Sequence, residues 1–168
     1  MNWYVEDLIT RFQSKGAVVD ANLLLLLLIG SYDIELVGHD GFKRVAKYAA
    51  EDWATLRRLL KLFKVTVTTP HILTEVSNLA AQLPDHHRSA CLGTFVERFK
   101  DFAELKTPSL QAASRAEFTF LGLTDCVIAE SASNYLVITD DLRFSNYLNR
   151  IGLESLNFNH IRTLAWNW

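Results

Sequence analysis

Cysteine is scarce: Cys91 and Cys126 are the only two in 168 residues. Two thiols cannot build the disulfide framework of a small secreted scaffold, and they read as free thiols of an intracellular chain. Cysteines and histidines are not clustered densely enough for a structural zinc site. Proline and glycine are rare too, at 3 and 7 residues, which excludes collagen-like and low-complexity classes and leaves no linker to divide the chain. Neither sign of charge dominates: 17 Lys and Arg face 19 Asp and Glu, for a net charge of −2. A nucleic-acid coat would be strongly basic, and a disordered chain would be less apolar than this one, at 49% hydrophobic. The longest apolar run, Leu23 to Ile29, falls far short of the ~18 residues that span a bilayer. The acidic, aromatic start, Met1 to Asp7, does not resemble a secretory signal. One soluble cytoplasmic domain, without membrane association, is expected over 1–168.

What is present is an alternation of helical and strand patterns. Val5, Leu8, Ile9 and Phe12 recur at helical spacing and Lys15-Gly16 ends the run, so an N-terminal helix is expected over about 3–15. Ala17-Val18-Val19 reads as a short buried strand, followed by a Leu-rich helix from Asn22 to near Gly30. Residues 34–40 read as a loop. A long amphipathic helix, an insertion over about 42–62, comes next. Val65 to Thr68 is β-branched and predicts a strand, with Thr69 capping the next helix and Pro70 in its first turn. Asp85 is expected to cap a helix through Phe99, Glu104 to Lys106 to form a strand, and Ser109 to Phe120 a helix. Thr124 or Asp125 opens a further helix. Tyr135 to Thr139 is the clearest strand, Leu142 to Arg150 a helix, and Leu156 to Phe158 a last strand. Strands alternating with helices predict an α/β fold with a central, mainly parallel sheet flanked by helices.

In such sheets ligands bind outside the carboxyl ends of the strands. Asp20 directly follows the first strand, and Asp140 and Asp141 directly follow the clearest later one. Glu75 lies among Leu73, Val76 and Leu79, and Asp125 between Leu123 and Val127-Ile128-Ala129. Carboxylates in apolar settings are costly unless paired, hydrogen-bonded or metal-bound, and several together call for a hard divalent cation. Each acid alone also has an ordinary reading: Asp20 and Asp125 as helix caps, Glu75 as half of a salt bridge, one of Asp140 and Asp141 as a cap.

Four segments carry a resemblance. They are Val18-Val19-Asp20-Ala21-Asn22-Leu23, Thr74-Glu75-Val76-Ser77-Asn78-Leu79, Leu123-Thr124-Asp125-Cys126-Val127-Ile128-Ala129 and Leu136-Val137-Ile138-Thr139-Asp140-Asp141-Leu142-Arg143-Phe144. In their order and placement they resemble the motifs of the PIN-domain family, over roughly Ala17 to Phe158. The resemblance implies a PIN-like, Rossmann-like three-layer fold, Mg²⁺ or Mn²⁺ as cofactor, and endonucleolytic cleavage of RNA. Many bacterial members are VapC-like toxins, which implies an antitoxin partner and a homodimer. By position, Asp20, Glu75, Asp125 and Asp141 are the implied catalytic and metal-binding acids, with Asp140 as a further ligand and Asn22 and Thr139 in support.

Compact PIN toxins are shorter than this chain, which adds the N-terminal helix and the 42–62 insertion. Phosphate contacts are expected from Arg143, Lys43, Arg44 and Lys47. Arg57, Arg58, Lys61 and Lys64 form the densest basic patch, and a solvated helix face accounts for it. His86-His87 lacks ligand spacing, and His39, His71 and His160 have no assignable role. The aromatics are expected mostly in the core, with docking on the body or on a partner as the alternative for Trp166 and Trp168 at the tail. No GxxxxGK[ST] loop or Ser-His-Asp pairing is evident. The competing readings are a PIN-like module that binds RNA or protein without cutting it, and a receiver-like domain, for which a suitably placed Lys is missing.

Overall fold

The computed structural model describes residues 3–164; the tail tryptophans Trp166 and Trp168 lie outside the described residues. The sheet is built from β1 (Ala17–Val19), β2 (Thr66–Thr68), β3 (Phe102–Glu104), β4 (Leu136–Thr139) and β5 (Ser155–Asn157). Its order is β3-β2-β1-β4-β5 and every pair is parallel. Parallel neighbours need crossover connections, and helices supply them. The chain runs outward from β1 through β2 to β3, then returns to the other side of β1 for β4 and β5. The strand order therefore reverses between β1 and β4, the place where open parallel sheets bind ligands.

The strands are short but deeply placed. Ala17, Val18, Val19 and Leu136 to Thr139 are each at most 1% exposed, as β-branched and aliphatic residues covered on both faces should be. The helix α2 (Ala21–Tyr32) explains the leucine run. It packs against α3 (Ala50–Leu60), α4 (Pro70–Ala80) and α5 (Asp85–Phe99), and Leu23 to Leu26, Leu28 and Ile29 are all buried. A helix surrounded by protein has no polar face to keep. Gly30 lets the Trp53 ring close onto α2: a Cβ there would lie 2.5 Å from Trp53 Cδ1. The indole Nε1 donates to the Leu27 carbonyl at 3.1 Å.

Other elements follow expectation: α1 (Trp3–Phe12), α9 (Leu142–Arg150) and the Thr69 cap of α4, whose Oγ1 accepts from Ile72 N at 3.2 Å. The final strand gives way directly to α10 (Phe158–Leu164).

The 42–62 helix is a correction, since only α3 is helical there. Residues 38–49 form successive turns in which Val45 N donates to Phe42 O and Tyr48 N to Val45 O. Gly38 adopts φ +81°, and a Cβ at that position would meet Tyr48 O at 2.9 Å. The turns bury Phe42, Val45 and Tyr48 every third residue, a spacing that mimics a helical face.

Ser109 to Phe120 divides into α6 (Ser109–Ala113) and α7 (Phe118–Leu121). Between them Arg115 ties to Glu130 at 2.8 Å and to the Tyr147 hydroxyl at 2.8 Å. Asp85 is the first residue of α5 and pairs with Arg88 at 2.9 Å, while Pro84 occupies the cap position. The strand expected at Glu104 to Lys106 lies two residues earlier, at β3. The helix α8 (Leu123–Ser131) starts after Gly122, at φ +83°, so Asp125 sits inside its first turn instead of capping it.

Candidate active site

The carboxyl ends of β1 and β4 lie side by side, and each passes straight into a helix capped by an acid. Asp20 caps α2, its Oδ1 accepting from Leu23 N at 2.8 Å. Asp141 caps α9, its Oδ1 accepting from Phe144 N at 3.0 Å. The cap reading of both acids is therefore true, and it leaves one oxygen of each outside these cap bonds. Asp20 Oδ2 accepts from the Thr139 hydroxyl and from Asp140 N at 3.3 Å. Thr139 Oγ1 in turn accepts from Asp141 N at 3.0 Å, so one buried hydroxyl ties both acids together across the switch point.

Burial, and then the charge of Asp140, push the Asp20 carboxyl up to about 7 against the opposing hydrogen bonds from Thr139, Leu23 and Asp140. Asp125 is also pushed up to about 7, first by burial and then by the charges of Asp20, Asp141 and Glu75. Four carboxylates from α4, α8 and the ends of β1 and β4 thus share one electrostatic neighbourhood. No Lys, Arg or His pairs with Glu75, Asp125 or Asp141 among the described residues. The salt-bridge reading of Glu75 accordingly finds no partner.

Asp140 has different surroundings. Its carboxylate takes the Lys47 ammonium and, at 2.6 Å, the Tyr48 hydroxyl. Burial and the Asp140 charge push the Tyr48 hydroxyl far above its ordinary value, so it stays a donor. Asn159 Nδ2 donates to the Asp140 carbonyl at 2.7 Å. Arg162 lies 5.5 Å from the Tyr48 ring centroid and pairs with buried Asp52 at 2.8 Å. Lys47 is thus the partner of Asp140.

Arg44 donates to Gln82 at 2.9 Å, and with Lys43 it lines a separate depression beside Asp40 and Gln82. Arg143 is exposed in the first turn of α9, next to Asp141, and Asn22 is exposed in the first turn of α2. Sequence reasoning missed Tyr48, Asp52, Asn159 and Arg162, which carry no motif. His71, left without a role by the sequence, lies one helical turn before Glu75 on α4.

Hard oxygen donors that repel one another fit a divalent cation such as Mg²⁺ or Mn²⁺. Among the described residues no three acidic, imidazole or thiol side chains already stand as a closed ligand group. Compared with known proteins, the chain matches no family model, no curated protein and no solved structure.

Proposed function

We propose that the protein is a metal-dependent endoribonuclease of the PIN-like type, hydrolysing RNA phosphodiester bonds. One observation carries the reading. Asp20, Glu75, Asp125 and Asp141 come from four separated segments, and Asp125 feels the charge of the other three at the switch point of a parallel sheet. Structural carboxylates are normally paired, whereas functional sites concentrate perturbed ones.

These four acids would hold Mg²⁺ or Mn²⁺, with Asp140 one residue outside the group. When bound, such an ion supplies counter-charge, a more acidic water and stabilisation of phosphoryl oxygens. Leu23 N–H and Thr139 fix the Asp20 carboxylate, and Phe144 N–H fixes that of Asp141. Their donor oxygens are thereby oriented before any ligand arrives. Burial and the neighbouring acids favour the protonated Asp125 up to about pH 7, and a bound cation would favour its ionised form. Arg143, exposed beside Asp141, would meet a backbone phosphate.

The test is incubation of purified protein with mixed RNA and Mn²⁺ or Mg²⁺, alongside EDTA and Asp125→Asn controls. Cleavage that needs both the metal and Asp125 is expected. A folded protein that neither cuts RNA nor binds Mn²⁺ by calorimetry overturns the reading, and RNA binding without cleavage would favour a non-catalytic module. Within this proposal a toxin role predicts that induced expression arrests growth while Asp125→Asn does not.

A further inference from the structure

The face of α4 that bears Glu75 continues into a groove of about 480 Å³. His71 and Asn78 flank Glu75 on that face at helical spacing. Leu123, two residues before Asp125, and Ser109 form the facing wall, with Leu79 adding apolar surface. The volume falls within the roughly 300–1,000 Å³ of sites that enclose small organic groups.

The lining includes no Lys or Arg, and Glu75 is its one acid. A phosphate would find no counter-charge there. An uncharged, flat group with hydrogen-bonding edges suits it better, because leucine side chains offer apolar contact and Asn78, Ser109 and His71 offer polar atoms. His71 Nε2 lies 2.7 Å from Ser109 Oγ. Its Nδ1 is buried without a hydrogen-bond partner among the described residues. A single hydrogen bond holding the ring leaves it free to exchange that bond for one to a ligand.

We propose that this groove is a base-recognition subsite, taking one unpaired nucleobase of single-stranded RNA beside the acids, with Asn78 and the His71–Ser109 pair reading its edge. The inference rests on the nuclease reading for its substrate and deepens it. Sequence-specific proteins read RNA mainly through splayed, unpaired bases, and the groove adjoins the proposed site of cleavage.

The experiment measures fluorescence anisotropy of labelled ten-nucleotide oligo(A), oligo(C), oligo(G) and oligo(U) with the full chain in EDTA. One of the four is expected to bind about tenfold more tightly than the others, the size of effect a well-placed side-chain–base pair produces. Asn78→Ala and Ser109→Ala, both at exposed positions, should erase that preference while retaining the weaker binding of the other three. His71→Phe keeps the ring and should do the same. Equal binding of all four, no binding of any, or a preference unchanged in the variants overturns the proposal. Because the assay contains no metal, a base preference without any cleavage in the Mn²⁺ assay sinks the nuclease reading and keeps the groove. Metal-dependent cleavage without a base preference does the reverse.

Discussion

Replacing Asp125 with Asn should make the metal-free protein more stable while abolishing its proposed activity. Asp125 ionises near 7 in the folded chain against an ordinary 3.8. The folded state therefore keeps a proton between those limits that the unfolded state has already lost. Stability of the wild type falls as pH rises through that window and levels off above it. At 1.36 kcal/mol per pH unit the full penalty is roughly 4 kcal/mol. Asp125 is partly exposed and water screens part of it, which brings the expected gain to about 2 kcal/mol. For a chain of this size that corresponds to a rise of roughly 4–8 °C in Tm. Thermal melts at pH 4, 5, 6, 7 and 8 in EDTA would show the difference between variant and wild type near zero at pH 4, growing to about pH 7, then constant. Added Mn²⁺ should narrow it by stabilising the wild type alone. A variant no more stable than wild type at pH 8, or one whose advantage is the same at pH 4, would refute the argument that burial and the neighbouring acids together penalise the Asp125 charge.

Arg162→Leu strands the Asp52 carboxylate, whose side chain is 3% exposed; a loss of about 3 kcal/mol is expected in urea unfolding. Gly30→Ala drives a methyl into the Trp53 indole, which should cost about 1–3 kcal/mol and shift the tryptophan emission. Burial raises the Cys91 thiol to about 11 and also raises that of Cys126. A thiol reagent at pH 8 should therefore label neither cysteine until the chain is unfolded, and rapid labelling of the native protein would contradict their burial.

The order of strands and helices was legible because short apolar strands and capped helices are written locally. Asp20, Thr69 and Asp141 each announce a helix start, and each does cap one. The leucines of α2 could be read either as buried or as part of a partner interface, and the fold buries them within the chain. The segment 38–49 misled because turns that bury every third residue imitate the period of a helix. The linkage between Asp140, Lys47 and Tyr48 was beyond local reading: Asp140 stands more than 90 positions from both partners and no spacing rule joins them. The acids could be named from their segments, but their mutual repulsion became visible only once the sheet order was known.

The bond from Thr139 to Asp20 spans 119 positions, and that separation bears on how the protein comes into being. Long loops make a pairing slow to form. During synthesis, β1, β2 and β3 leave the ribosome well before β4, so three of the five strands wait with an open flank on the central one. A nascent chain already carries Asp20, Glu75 and Asp125 while Thr139 and Asp141 are still unmade. The cluster of acids is consequently completed only after β4 and Asp141 have been made, and any activity it has begins no earlier.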